Sequence, residues 1–107
     1  SDPDIHHQEI AYEFVANDHV CMLNNSYRAE DIPSVSINDQ TYHGCCESCT
    51  GQLLKKPNER FAFDSLTGKK VDKSLAVTLR KIDDSKIYYF KSTENAKAFI
   101  QKKKNDS

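Results

Sequence analysis

Residues 41–54 read TYHGCCESCTGQLL, and three of the four cysteines of the chain lie in this stretch. Its first three residues fit a strand, and Gly44 interrupts the pattern. From Cys45 or Cys46 onward the spacing of apolar residues becomes helical, which predicts that a helix begins at the cysteines. The fourth cysteine, Cys21, lies upstream in a Val-Cys-Met triplet. The stretch therefore predicts a strand, a break and a helix, with thiols at the junction.

The residues on either side of this stretch predict a hairpin before the helix and a stop after it. Residues 34–37 alternate serine with valine or isoleucine, which is the spacing of a strand. Asn38-Asp39-Gln40 is rich in turn formers, so residues 41–43 are predicted to be the returning strand. Pro57 predicts that the helix ends at or before Lys56, because proline disfavours a helical residue in front of it.

The second half of the chain shows the same order of patterns. Its predicted elements are a strand over 76–82, a turn over 83–85, a strand over 87–90 and a helix capped by Ser92. Ala96, Phe99 and Ile100 recur at spacings of three and four in that helix, as expected for one buried face.

The N-terminal segment has two possible structures. Apolar residues at positions 10, 11, 14 and 15 fit one face of a helix, which predicts a helix within Asp4–Ala16. The same residues also fit a strand over Ile10–Val15.

A constant offset of 46 positions places several residues of the first half on similar residues of the second. Tyr42 falls on Tyr88, and Leu53 falls on Phe99. The same offset places Cys21 on Thr67, and Cys45, Cys46 and Cys49 on Lys91, Ser92 and Asn95. We interpret this as an internal duplication whose second copy has lost every thiol.

These patterns predict an α+β fold in which two tandem β-hairpin–helix units pack into one small domain. The predicted divisions are an N-terminal extension at 1–16, a cysteine-bearing repeat at 17–60, a cysteine-free repeat at 61–101 and a disordered tail at 102–107. A chain of 107 residues buries only a small core, so a metal or a disulfide would add to its stability.

Charge and composition argue against several classes of function. The net charge is −1 and no Lys/Arg stripe interleaves with aromatic residues, so we expect no nucleic-acid partner. No segment approaches the roughly 20 apolar residues that cross a bilayer, so we expect no membrane span. The carboxylates are scattered without an evident nucleophile–base pair, so we expect no enzyme. The chain begins at Ser1 without Met and without a signal peptide, and we expect an exported, periplasmic mature form rather than a cytoplasmic one.

The spacing of the clustered thiols suits a metal site. Cys45 and Cys49 are four positions apart and Cys46 and Cys49 are three apart, which on a helix brings Cβ atoms to roughly 5–6 Å. Two thiolates at that separation can bind one ion through metal–sulfur bonds of about 2.3 Å, and the helix N-terminus favours the thiolate form. Cys21 can join them from a separate loop. Thiolates select soft ions, so Cu(I) or Zn(II) is expected.

Several candidate ligands stay open at this point. Cys45 and Cys46 are adjacent, so their side chains cannot both point the same way, and one of them is a candidate for an inert position. Met22 is either a core residue or a thioether beside the ion. His19 and His43 could complete a tetrahedral site, or they lie at the surface or in the core.

The residues around the thiols resemble a known family. Residues 42–49 (YHGCCESC), with an apolar residue and a proline after them, resemble the YHS and TRASH class of small metal-binding domains. In that class a hairpin ending in an aromatic residue precedes Cys-x₃-Cys at a helix start, and an earlier cysteine completes the set. Residues 20–22 resemble that earlier element, and 23 residues lie between its cysteine and the next. The resemblance implies Cys21, Cys45 and Cys49 as metal ligands and leaves Cys46 outside the pattern.

The second half resembles a degenerate copy of the same domain. Residues 64–71 resemble the opening of the domain with its cysteine lost, and residues 88–92 resemble the aromatic element before the helix. The resemblance implies heavy-metal sensing, trafficking or resistance, often of copper.

Three hypotheses of function follow. The first is a thiolate metal-binding protein, a carrier or sensor of Cu(I), or next of Zn(II), that exchanges its ion with a protein partner as a metallochaperone does. The second is a thiol–disulfide redox protein that uses Cys46 and Cys49, which form a Cys-x-x-Cys at a helix start. The third is a structural zinc module that serves as a surface for protein interactions.

Overall fold

Antiparallel strand pairs and two helices make up the part of the chain that the computed structural model describes, residues 12–83 and 85–105. The strands are β1 (Tyr12–Val15), β2 (Val20–Cys21), β3 (Ser26–Tyr27), β4 (Ser34–Ile37), β5 (Gln40–His43), β6 (Phe61–Phe63), β7 (Lys70–Asp72), β8 (Val77–Lys81) and β9 (Ile87–Phe90). The helices are α1 (Glu47–Lys55) and α2 (Thr93–Asn105), and short 3₁₀ turns span Asn17–His19 and Pro57–Arg60. The predicted α+β class is confirmed.

The strands pair with neighbours in sequence, except that β1 pairs with β8, and an isolated bridge joins Ser26 to Lys86. β2 pairs with β3, β4 with β5 and β6 with β7, and a three-stranded sheet has the order β1-β8-β9. The hairpin β4–β5 precedes α1, and the hairpin β8–β9 precedes α2. No helix in the described residues is both long and apolar enough to cross a membrane.

The first hairpin forms where the sequence predicted it. Ser34 pairs with His43 and Ile37 with Gln40, which leaves a two-residue turn. Both turn residues have left-handed backbone, with φ of 54° at Asn38 and 67° at Asp39. Asn and Asp tolerate this conformation, and such a turn matches the twist of the strands that it joins.

Both helices begin close to their predicted positions. Cys46 stands just before α1 in extended conformation, and α1 ends at Lys55, before Pro57. The hydroxyl of Ser92 accepts the backbone N–H of Asn95 at 3.1 Å, so Ser92 caps α2 as predicted. In place of the tail predicted from residue 102, α2 continues to Asn105. Its last turn carries three lysines, whose positive charge suits the C-terminal end of the helix dipole.

The helix predicted within Asp4–Ala16 is wrong for residues 12–15, which form β1; the earlier residues of that prediction lie outside the described residues. Tyr12 pairs with Lys81 and Val15 with Thr78, so β1 adds to the second hairpin. The strand alternative is therefore the one observed at 12–15, because a partner strand distant in sequence outweighs the local helical pattern.

Two clusters of buried side chains hold these elements together. The larger cluster combines residues of both halves: Val20, Met22, Tyr42, Leu53, Val71, Ala76, Ile87 and Tyr89. The smaller cluster lies under α2 and consists of Leu79, Phe90, Ala96 and Phe99. Because the larger cluster is shared, the two halves pack as parts of one core.

Gly44 lets the end of β5 approach the first turn of α1. A Cβ at this position would lie 2.7 Å from Cβ of Cys49 and 3.0 Å from the backbone nitrogen of Thr50. Such distances are far inside van der Waals contact, so a larger residue would displace the helix that carries Cys49.

We expect Gly44→Ala to destabilise the protein by about 1–3 kcal/mol, the usual cost of overpacking a tight junction. The matched control is Gly51→Ala, where nothing lies within 4 Å of the added Cβ in α1. Because alanine is the better helix former, the control should gain about 0.5–1 kcal/mol. Urea unfolding of both variants measures the free energies. Equal effects of the two substitutions would contradict the close approach at Gly44.

Candidate metal centre

A tight loop, residues 21–26 (the Cys21 loop), brings Cys21 to the start of α1. The backbone N–H of Asn25 donates to the carbonyl of Cys21 at 2.7 Å, and Asn25 has a left-handed φ of 56°. The N–H of Met22 donates to the carbonyl of His43 at 2.8 Å. This bond joins the loop to the last residue of β5, directly before Gly44 and Cys45.

The structure brings three of the predicted ligands together. The sulfurs of Cys21, Cys45 and Cys49 lie within 4.8 Å of one another, and we call them the thiol group. Cys21 and Cys49 are buried, Cys45 is half-buried, and all are free thiols. The sulfurs of Cys45 and Cys49 lie 3.5 Å apart. Within the described residues, these three cysteines form a group that could hold a metal ion.

The remaining predicted ligand, Cys46, lies beside the thiol group. Its side chain is exposed, and its sulfur lies 3.8 Å from that of Cys49. It is not one of the three sulfurs that all lie within 4.8 Å of one another. Its position before the first helical residue, next to Cys45 in the chain, gives its side chain a different direction. The geometry thus separates Cys46 from the other three.

His19 and His43 do not belong to the thiol group either. Nδ1 of His19 lies 3.1 and 3.2 Å from two backbone carbonyls, to which it donates. The ring of His43 is partly buried, and burial lowers its pKa. The sulfur of Met22 accepts the N–H of His43 at 3.4 Å, and the side chain is fully buried in the larger core. Met22 therefore occupies the core position that was one of its two alternatives.

The surroundings of Cys21 and Cys49 shift the pKa values of these two thiols in opposite directions. Burial would raise the pKa of Cys21, but the backbone N–H groups of Asn24, Cys45 and Leu23 outweigh it and lower that pKa. Burial raises the pKa of Cys49 to about 12, and hydrogen bonding with Cys45 and the charge of Cys21 act in the same direction. Cys49 therefore keeps its proton at neutral pH without a cation, and Cys21 loses its proton more readily than Cys49.

A soft cation would replace that proton and relieve the repulsion between thiolates. Three sulfurs around one ion at about 2.3 Å lie roughly 4 Å apart when the site is planar and trigonal. The sulfurs of the thiol group, all within 4.8 Å, need only small side-chain movements to reach that arrangement. The donor set fits a thiophilic ion and offers no hard oxygen ligand.

The second half of the chain holds the Cys21 loop in place. The backbone N–H of Ile87 donates to the carbonyl of Asn25 at 3.0 Å, and the hydroxyl of Tyr89 donates to the side-chain oxygen of Asn25 at 2.7 Å. The ammonium of Lys73 donates to the carbonyl of Met22 at 2.5 Å, and its side chain is 97% buried as a consequence of this packing. Burial lowers the pKa of Lys73, against the opposing charges of Glu59 and Cys21.

Sequence reasoning did not identify Lys73 or Tyr89 as supports of the site. A lysine in a polar turn has the pattern of a solvated residue, and no local signal distinguishes it. Tyr89 was assigned to a strand, which is correct, but its partner Asn25 lies 64 positions away. A contact between residues so far apart in the chain leaves no periodic pattern in the sequence.

Asp64 is a buried polar residue that the sequence indicated only as part of the stretch 64–71, which resembles the opening of the domain. Its carboxylate is 99% buried and accepts four hydrogen bonds, from the backbone of Leu66, Thr67 and Lys91 and from the side chain of Asn95, at 2.7 to 3.0 Å. Burial would raise the pKa of Asp64, but these donors outweigh it and lower that pKa. The signal in the sequence was Asp-x-x-Thr-Gly, which is typical of a turn closed by an aspartate side chain.

No protein-family model, no curated protein and no solved structure matches the chain. The resemblance to the YHS and TRASH class therefore stays a prediction from the residues around the cysteines.

We expect iodoacetamide to label Cys46 first in the reduced, metal-free protein, and Cys21 and Cys49 last. Cys46 is exposed, and the N–H groups of the first turn of α1 lower its pKa, whereas the other two are buried. Peptide mapping by mass spectrometry after graded labelling times measures the order. Cys46→Ser should remove the fast phase and leave the slow one unchanged. Labelling of Cys21 as fast as Cys46 would contradict the closed Cys21 loop.

Proposed function

We propose that the protein binds one soft metal ion through Cys21, Cys45 and Cys49 and passes it on or reports its presence. The observation that supports the proposal is the thiol group itself: three sulfurs lie within 4.8 Å of one another, although Cys21 and Cys45 are 24 positions apart in the chain. The function proposed is binding and transfer, without catalysis of a reaction.

Cu(I) is the proposed ion, with Zn(II) next. Three thiolates without a fourth ligand suit trigonal Cu(I), whereas structural zinc sites are closed by four ligands. The fourth thiol, Cys46, is outside the thiol group, and the described histidines do not join it. An incomplete shell also favours exchange of the ion with a partner.

Access to the site supports a role in transfer. Cys45 is half-buried, and the first helical residues after it, Glu47 and Ser48, are exposed. A thiol of a protein partner can therefore approach the ion from the side of α1 while Cys21 stays covered. This arrangement suits a metallochaperone or sensor in heavy-metal homeostasis or resistance.

The order of elements supports the proposed kinship with the YHS and TRASH class. The first half has a loop with Cys21, then a hairpin, then a helix with Cys45 just before its start and Cys49 in its first turn. The second half has a loop, a hairpin and a helix in the same order. We propose that the chain is a tandem of two such units.

One observation favours a second candidate function, thiol–disulfide exchange by Cys46 and Cys49. Their sulfurs are 3.8 Å apart, and the first is exposed while the second is buried, as an attacking thiol and its resolving partner would be. The reduction potential of this pair decides the question. A potential below about −300 mV would mark the bridge as structural and remove this candidate.

Titration of the reduced protein with Cu(I) and with Zn(II), against a competing chelator, tests metal binding. We expect one ion per chain. Cys21→Ser, Cys45→Ser and Cys49→Ser should each weaken binding by more than the roughly 10–100-fold that loss of an outer-shell contact costs. Cys46→Ser is the matched control and should leave the affinity nearly unchanged.

Two results would contradict the proposal. Unchanged affinity in the three ligand variants would exclude the thiol group as the site. A loss with Cys46→Ser equal to that with Cys45→Ser would indicate a site of four thiolates, as in structural zinc proteins.

Removal of the ion by a chelator distinguishes a metal carrier from a structural zinc module. We expect the chelated, reduced protein to keep its circular dichroism spectrum and a cooperative thermal transition, because the shared core holds both halves without the ion. Unfolding on chelation would favour the structural zinc module, in which the metal contributes the folding free energy.

A further inference from the structure

The Cys21 loop has a defined set of hydrogen bonds. The N–H of Asn24 points at the sulfur of Cys21 at 3.5 Å, and the N–H of Asn25 donates to the carbonyl of Cys21 at 2.7 Å. Asn25 adopts a left-handed φ of 56°. The residue after Cys21, Met22, donates to the carbonyl of His43 at the end of β5.

Residues 64–69, which we call the Asp64 loop, repeat these bonds. The N–H of Thr67 donates to the carboxylate of Asp64 at 3.0 Å, and the N–H of Gly68 donates to the carbonyl of Asp64 at 2.8 Å. Gly68 adopts a left-handed φ of 78°. The residue after Asp64, Ser65, donates to the carbonyl of Tyr89 near the end of β9 at 3.0 Å. Position by position, Asp64 takes the place of Cys21.

This correspondence corrects the alignment of the two halves. The constant offset of 46 paired Cys21 with Thr67, but the hydrogen bonds pair it with Asp64. The reason is a difference in length: 22 positions separate Cys21 from His43, and 25 separate Asp64 from Tyr89. The connection between β8 and β9 is longer than the two-residue turn of β4–β5 and accounts for most of the difference.

The surroundings of the two acceptors also correspond. Each acceptor receives the backbone N–H of the third residue after it, Asn24 at Cys21 and Thr67 at Asp64. The carboxylate of Asp64 also accepts the N–H groups of Leu66 and Lys91, and Lys91 matches Cys45 at the offset of 46. Its fourth donor is the side chain of Asn95, which matches Cys49 at the offset of 46.

We infer that the Asp64 cluster, Asp64 with Lys91 and Asn95, is the second half's counterpart of the thiol group, with a buried carboxylate in the place of a metal and its thiolates. The comparison rests on the proposed function of the first half. In the first half the Cys21 loop lies against the start of α1, and in the second half the Asp64 loop lies against the start of α2. The first half can join them through an ion, and the second joins them through hydrogen bonds to one carboxylate.

The chemistry of the cluster is suited to that task. Hydrogen bonds to an ionised carboxylate are stronger than those between neutral groups, and four of them compensate the burial of the charge. The cluster needs no ion, so the second half can hold the Cys21 loop whether or not metal is bound. It follows that positions 64, 91 and 95 mark a latent metal site.

Construction of that site tests the inference. The variant Asp64→Cys/Lys91→Cys/Asn95→Cys is titrated with Zn(II) under reducing conditions, and native mass spectrometry counts the ions per chain. We expect one ion more than the unaltered protein binds. The matched control is Thr67→Cys/Lys91→Cys/Asn95→Cys, because the constant offset of 46 places Cys21 on Thr67. This control should bind no additional ion with comparable affinity.

A background without the first site separates this inference from the proposed function. With Cys45→Ser and Cys49→Ser present, the designed variant should still bind one Zn(II). If the unaltered protein binds no metal but the designed variant gains an ion, the proposed function fails and the correspondence of the two halves stands. No gain in the designed variant, or an equal gain in the control, would overturn the inference.

Asp64→Asn tests the cluster without any metal and without new thiols. We expect a lower urea midpoint than in the unaltered protein, because an amide cannot accept four bonds from donors that surround it. Asp39→Asn, at an exposed turn, is the control and should change the midpoint little.

The pH dependence of the Asp64→Asn effect provides a second readout. The pKa of Asp64 is lowered in the folded protein, so its carboxylate contributes fully above the unfolded pKa of about 3.9. That contribution is lost as the pH falls from there through the lower folded pKa. The difference between the midpoints of the two proteins should therefore narrow on acidification below about pH 4. A difference that is absent at neutral pH, or constant with pH, would contradict the role of the carboxylate.

Discussion

Convergence of backbone N–H groups on one buried atom is the constraint on which the site depends. In the Cys21 loop the N–H of Asn24 points at the sulfur of Cys21, and in the second half three N–H groups point at the carboxylate of Asp64. Burial of such donors is costly unless an acceptor, preferably an anion, receives them. A thiolate or a carboxylate meets that need. The bond from Met22 to His43 then places the loop beside the start of α1, and Gly44 admits the helix closely enough for Cys49 to reach Cys21.

The same constraint explains how one small domain can present an exchangeable site. The two halves share a core, and the second half fastens the Cys21 loop through Lys73, Ile87 and Tyr89. The thiol group is therefore held in place by contacts that include no ion. The exchange of an ion that we propose needs such a framework, because free energy of metal binding that is consumed in folding cannot be used to select or release the ion.

Much of the fold could be predicted because its signals are local. Turn residues Asn38 and Asp39, the cap Ser92 and the stop Pro57 each act within a few positions, and the elements that they delimit are observed. The meeting of Cys21 with Cys45 and Cys49 at the start of α1 followed from a resemblance and not from spacing alone. The strand β1, the buried Lys73 and the true partner of Cys21 in the second half depend on long-range contacts and on loop lengths. No periodic pattern encodes these.

X-ray absorption at the copper edge of the reduced, Cu(I)-loaded protein tests the metal centre most directly, because it reports the atoms around the ion. We expect three sulfur neighbours at about 2.3 Å, and loss of one of them in Cys21→Ser. A shell of nitrogen or oxygen neighbours, or a sulfur shell that is unchanged in Cys21→Ser, would contradict a site built from Cys21, Cys45 and Cys49.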